Sequence, residues 1–395
     1  MSLDAGFGMT TFNSLLCAHR NEATLTRFGV GTLLLWFAAG CTSPTVIDTP
    51  EATPRTVETP IPTVSYRIKR DPITIAAVGD IMLGTDFPDN RLPDDDGLSF
   101  LDGVVDILSE ADVVFGNLEG VLMDGGEPFK VCNNPSLCYL FRTPTRYAQI
   151  LKDAGFDVLS LANNHARDFG EDGRTATMDV LDQVGILHSG REGDIASWEH
   201  NGIRLAMIAF APHPESHSLL EIEQAAALVT DIAERHDVVI VSFHGGAEGV
   251  DALHLTFGEE FFYEQPRGDL VRFSRAVIDA GADLVFGHGP HVVRAIEVYK
   301  QRVIAYSLGN FATYYGISVA GIKGQAPILS VTVDQDGQFL SGNIDSTIQI
   351  RPNGPTVDSK HRAYLLMRDL SHTDLGEKAP LFDDDNHQIR PRIKQ

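Results

Sequence analysis

The sequence predicts an α/β fold, and three observations carry that expectation. From residue 73 onward, short apolar runs of β type alternate with segments of helical periodicity, the signature of helices laid on a sheet. Six polar stretches, 78–80, 116–120, 163–165, 242–244, 287–291 and 307–311, each follow one of the apolar runs. Ligands gather where strands end in open α/β sheets, and the mixture of Asp, Glu, Asn and His in these stretches suits a divalent or transition metal. Finally, no Pro/Gly/Ser-rich linker interrupts residues 71–352, so they form one domain.

Taken in order, the run 73–78 reads as a strand ending at Gly79-Asp80. Residues 100–110 read as a helix, and 113–115 as a strand leading into Gly116-Asn117-Leu118-Glu119-Gly120. The helix 145–154 follows from Ile150, Leu151 and Ala154 on one face. The strand 158–162 leads into Asn163-Asn164-His165, and a helix over 173–184 comes next. Then come a strand at 203–210, a helix at 219–235 and a strand at 238–241 that runs toward His244. Residues 245–266 have the weakest periodicity, and a long loop in a compact domain is often functional, so this one is expected to overhang the site. A helix at 269–280 and a strand at 284–286 precede the paired His288 and His291. Strands at 303–307, 328–333 and 343–350 close the domain, and 353–395 reads as a C-terminal extension whose last 25 residues are charged and frayed.

The N-terminal region carries different signals. Arg20 and Arg27 precede an uncharged stretch at 28–40, which is too short to span a bilayer but fits a secretory signal. It ends in Ala38-Ala39-Gly40-Cys41, which resembles a bacterial lipobox with Cys41 as the lipidated residue. A plain cleaved signal with an incidental Cys is the alternative. Residues 1–41 are therefore expected to be a signal peptide, and the Thr/Pro-rich 42–70 an extended spacer. The expected location is the cell membrane, lipid-anchored, on its extracytoplasmic face. In that compartment Cys132 and Cys138, flanking a turn-rich loop, favour a disulfide over free thiols or a zinc half-site.

The formal net charge of −23 over 395 residues excludes nucleic acid as a partner, because that needs a basic footprint. Within the candidate site, Asp80 is a carboxylate at a strand end, with Gly79 allowing close approach to the backbone. Glu119 repeats the arrangement. His165 and Asp168 share a face if a helical turn starts there, so Asp168 could orient the imidazole or hold its proton. His288 and His291 sit on a loop broken by Gly289 and Pro290, placed for one metal or two adjacent ones. His213 could line the site. No Gly-x-Ser-x-Gly elbow, Walker loop or dinucleotide fingerprint stands in a convincing position.

These residues, over about 73–311, resemble the metallophosphatase-like domain of bacterial capsule-synthesis proteins of the CapA type, linked to poly-gamma-glutamate. The resemblance implies a calcineurin-like four-layer α/β/β/α sandwich and a two-metal site, which departures from the broad metallophosphoesterase pattern could reduce to one divalent ion; the hard oxygen and imidazole ligands themselves suit Mn, Fe, Zn or Mg. Carried over by position, Asp80 and His291 serve the first metal and Glu119 bridges. Asn164 and His288 serve the second, with His244 beside them, and His165 acts as general acid. Three positions depart from the broad metallophosphoesterase pattern: Met82 stands where a His is usual, Glu119 replaces the bridging Asp, and Pro290 is inserted in the last motif. Two roles follow. One is metal-dependent hydrolysis or transfer at a phosphoester. The other is a non-catalytic assembly or anchoring role for a surface polymer. The expected partners are an acidic surface polymer or phosphorylated precursor, the membrane through the lipid anchor, and capsule synthesis or export proteins.

Overall fold

The computed structural model describes residues 70–131 and 139–392. Cys41, Cys132 and Cys138, the signal peptide 1–41 and all but Arg70 of the Thr/Pro spacer lie outside the described residues. Two sheets dominate. The first contains, in spatial order, Leu381–Asp383, Gln388–Arg390, Phe339–Gln349, Gln325–Val333, Ile73–Met82, Val113–Leu118, Val158–Ser160 and Leu187–Ser189. Asn310–Thr313 pairs in parallel with Ile73–Met82, and Pro355–Val357 pairs with Phe339–Gln349. The second runs Ile296–Tyr299, Arg302–Ala305, Leu284–His288, Val238–His244, Ile203–Ala211 and Ala196–His200, with His217–Ser218 beside Ile203–Ala211.

The apolar runs are continuous rather than alternating because both faces of each sheet are covered. Successive side chains point to opposite faces. Ile75 and Ala77 meet Leu205, Met207, Ile240 and Phe286 in a core between the sheets. Ala76 and Val78 face outward, under Leu108, Leu151 and Leu181 of the helices Val105–Leu108, Tyr147–Asp153 and Gly170–Val184. On the other side, Val239, Val241 and Phe243 pack under Val229, Ile232, Phe273 and Val277 of Ile222–Ala233 and Leu270–Asp279. Helix, sheet, sheet, helix is the four-layer sandwich implied by the resemblance.

Helix boundaries follow local chemistry. Asp269 caps Leu270–Asp279, its carboxylate accepting from the Arg272 amide at 3.0 Å. Gly170–Val184 stops at Gly185, which takes a left-handed φ of 72°. The helix expected over 100–110 is confined to Val105–Leu108, with turns before it. Gly103, a poor helix former, stands just before it, close enough to the Pro355 carbonyl that a Cβ would come within 2.7 Å.

The sheet does not end near Pro352, and the last 25 residues, described as far as 392, carry regular elements where a frayed tail was expected. The helix Arg362–Leu375 places Tyr364 and Met367 in the inter-sheet core and Leu370 and Leu375 in the outer one. Its Ser371 hydroxyl accepts from the Ile296 amide, and the Ser346 hydroxyl accepts from the Tyr364 amide. The helix thus ties an edge of each sheet together, and Leu381–Asp383 with Gln388–Arg390 extends the first sheet. Among the described residues, no helix is long and apolar enough to cross a membrane.

The 245–266 stretch is held by Arg294, which is fully buried. Its guanidinium donates to both Glu260 carboxylate oxygens at 2.9 Å, and to the carbonyls of Ala247 and Ala252. Gly79 has a structural reason of its own. A Cβ there would overlap the Gly309 carbonyl oxygen, which accepts from the Asp80 amide at 2.9 Å. The glycine admits a neighbouring loop rather than a metal. Gly79→Ala is therefore expected to cost at least about 1–3 kcal/mol, the usual penalty of overpacking, read from chemical denaturation. An unchanged midpoint would contradict this account of the strand crossing.

Candidate metal centre

The ends of five strands deliver the site. Asp80 lies within Ile73–Met82, Glu119 just beyond Val113–Leu118, and Asn164 and His165 beyond Val158–Ser160. His244 and His288 end neighbouring parallel strands in register. Ligand atoms of Asp80, Glu119 and His291 all lie within 4.8 Å of one another. Asp80 is fully buried; one of its oxygens accepts from the Asn117 amide group at 2.8 Å and the other from His291 Nδ1 at 3.0 Å. His291 adopts a φ of 55°, uncommon for a residue other than glycine. Asn310 secures that turn, since its Nδ2 donates to the His291 carbonyl while its Oδ1 lies 3.0 Å from Nδ1. With Nδ1 so engaged, His291 Nε2 is the atom facing Glu119, 3.7 Å from Oε1.

Glu119 is buried, and neither of its oxygens has a hydrogen-bond partner. Burial, with the charge of Asp80 adding to it against the pull of His291, pushes this carboxyl up to about 8. For His291 burial works the other way, but Glu119 and the Asp80 hydrogen bond overcome it and raise the imidazole to about 10.

The second group is neutral. His288 Nε2 donates to the Val78 carbonyl at 3.1 Å, which joins the two sheets and leaves Nδ1 without a hydrogen-bond partner. Burial holds His288 below its ordinary range despite the nearby Asp80. Both nitrogens of fully buried His244 lack partners, and burial, reinforced by Arg267 and His291, keeps it well below that range. The Asn164 Oδ1 is likewise buried and unpartnered. Buried polar atoms without partners are rare and costly. Among the described residues several such atoms fall together on Glu119, Asn164, His244 and His288, and this donor set of hard oxygens and neutral imidazoles fits a divalent ion.

His165 stands to one side. Its Nδ1 lies 2.7 Å from an Asp168 oxygen that also accepts from the Phe141 amide, while Lys130 lies 3.2 Å from the other oxygen. The ring stacks on Phe141 at 4.1 Å between centroids, and Nε2 points toward Glu119 at 4.0 Å. Burial lowers its pKa, opposed by Asp168. Met82, in the position where the broad pattern has His, packs with Phe141 and Ile317 instead.

The structure brings Asp80, Glu119 and His291 into one cluster and sets His165 on Asp168. It links His244 to the cluster, its ring centroid 6.4 Å from that of His291. Reading by sequence missed the partners Asn117 and Asn310, and Asn163, whose Nδ2 donates to the Leu118 carbonyl and whose Oδ1 accepts from the His165 amide. All three lie in strand-end stretches, so their positions were the available signal. It also missed Arg267 and Glu248 on the overhanging loop. His213 does line the site, 6.5 Å from His244 between ring centroids, with burial and Arg267 pushing it down to about 3.

Two sheets lie face to face between helical layers, with acid, amide and imidazole groups gathered at their strand ends, so the chain is a four-layer α/β sandwich with a candidate metal centre. The model of the family described as "Bacterial capsule synthesis protein PGA_cap" matches residues 74–315, and the chain belongs to that family. It is 32% identical over 261 residues to the capsule biosynthesis protein CapA of Bacillus anthracis, covering 62% of this chain and 60% of that protein. It is 30% identical over 259 residues to the PGA biosynthesis protein CapA of Bacillus subtilis (strain 168), covering 61% of this chain and 63% of that protein. The chain thus spans under two thirds of the length of these relatives. Among solved structures, a putative 5'-nucleotidase from Staphylococcus aureus superposes at a TM-score of 0.41 with 14% identity, over 76% of this chain and 58% of that one.

His244→Ala and His288→Ala are each expected to lower bound divalent metal sharply, measured by elemental analysis, with circular dichroism unchanged. Full occupancy in both variants would contradict the ligand assignment.

Proposed function

We propose that this chain hydrolyses or transfers a phosphoester in the making or export of an acidic surface polymer. The observation that carries this reading is the set of unpartnered buried ligand atoms on Glu119, Asn164, His244 and His288, placed beside a His165–Asp168 pair. Asp80, Glu119 and His291 would hold one divalent ion, and Glu119, Asn164, His244 and His288 a second. Bound there, the ions would supply an activated water and charge neutralisation at the phosphoryl group.

The chain's own residues supply the rest. Asp168, an acceptor for the Phe141 amide, fixes the His165 ring by accepting a hydrogen bond from its Nδ1–H. That leaves Nε2 facing the cluster as the atom that exchanges a proton with the leaving oxygen. Phe141 stacked on the ring excludes water from its face. Asn117 and Asn310 orient Asp80 and His291. A non-catalytic assembly role is favoured by one observation, the loss of a ligand at Met82.

His165→Ala is expected to lower turnover by about 10²–10⁴-fold while bound metal is retained. Undiminished turnover would reject His165 as the acid. If the metal-loaded wild-type chain turns over no monoester, diester or lipid-linked phosphate, the assembly role replaces the enzyme reading. For location, the proposal is a lipid anchor at Cys41. Cys41→Ala is expected to move the chain from the membrane fraction to the soluble one, and unchanged retention would contradict it.

A further inference from the structure

Two buried arginines serve the overhanging 245–266 stretch and its hairpin Glu260–Phe262/Gln265–Gly268, and they differ in a telling way. Arg294 spends its guanidinium on both Glu260 oxygens and two backbone carbonyls, a complete set that holds the loop. Arg267 is only 3% exposed, yet its Nε has no hydrogen-bond partner. One of its amino groups meets Glu248, the other lies 3.4 Å from His213 Nε2, and its guanidinium covers the Phe262 ring at 5.4 Å. A buried fork of five donors that is only partly engaged is an unfinished anion contact.

Its position is functional. From Arg267 the path runs through His213 to His244 and on to His291, and its charge is felt at Glu119, His213 and His244. Glu248 covers it, with its side chain 18% exposed. The backbone on either side is pinned, Ala247 through its amide to Glu260 and Gly249 through its amide to the Pro290 carbonyl. The Glu248 side chain can therefore swing away without moving the loop. In a chain of net charge −23, an anionic substrate needs such a local cation.

We propose that Arg267 binds a carboxylate that the substrate carries a few carbons from its phosphoryl group, and that the Glu248 carboxylate holds this position until the substrate displaces it. The inference rests on the phosphoester reading above. It makes the substrate class a carboxylated phosphoester, and it makes Glu248 an internal competitor.

The test is calorimetric binding of two non-hydrolysable probes to the manganese-loaded full chain: 4-phosphonobutyrate, which has the carboxylate, and butylphosphonate, which lacks it. The wild type is expected to bind 4-phosphonobutyrate more tightly by about tenfold or more, the yield of a charge-assisted contact. Arg267→Gln should erase the preference, and Glu248→Gln should widen it. Equal binding of both probes by the wild type, or a preference that survives Arg267→Gln, overturns this inference alone. If Glu248→Gln leaves the preference unchanged, the competitor role of Glu248 falls. If neither probe binds the metal-loaded chain, the phosphoryl reading falls with it.

Discussion

The Glu119 carboxylate lies inside the protein with no hydrogen-bond donor on either oxygen, and the other features of the site follow from that. Removing an ionised carboxylate from water costs several kcal/mol even after relaxation. Burial, with Asp80 adding to it, pushes the Glu119 carboxyl up, while Glu119 and Asp80 raise His291 against its own burial. His244, His288 and Asn164 add further buried atoms without hydrogen-bond partners. A divalent ion would satisfy the carboxylate and the neutral ligands together.

Holding those groups in place requires two sheets to approach closely at their strand ends. Gly79 admits the connection at Gly309 where the chain enters the first sheet, and Gly287 admits the end of its neighbouring strand in the second. A Cβ on either would overlap a backbone carbonyl, of Gly309 or of Tyr306 respectively. The His288 hydrogen bond to Val78 then locks the second sheet to the first. Asp80 and Glu119 are coupled as well, because the Glu119 amide donates to the Ile81 carbonyl next to Asp80. Core packing, strand crossing and ligand geometry are thus one arrangement.

The strands were legible in the sequence because sheets buried on both faces leave continuous apolar runs, as at 73–78 and 238–241. The ligand-bearing stretches were legible because polar groups directly after such runs stand out. Other features were hidden by long-range contacts. Arg362–Leu375 lies in a C-terminal extension to which sequence reading assigns no element, yet Tyr364, Met367 and Leu370 recur every three residues and are buried. The 100–110 segment has helical spacing, yet only Val105–Leu108 is helical. Arg267 and Glu248 gave no local signal at all, because their pairing depends on a hairpin folding back across 19 residues.

Anomalous diffraction from crystals of the manganese-loaded protein tests the central claim most directly. The account predicts a peak bounded by Asp80, Glu119 and His291 Nε2, and a second, sharing Glu119, against Asn164, His244 and His288 Nδ1. A map with no anomalous density between Glu119 and these groups, at saturating manganese, would contradict it.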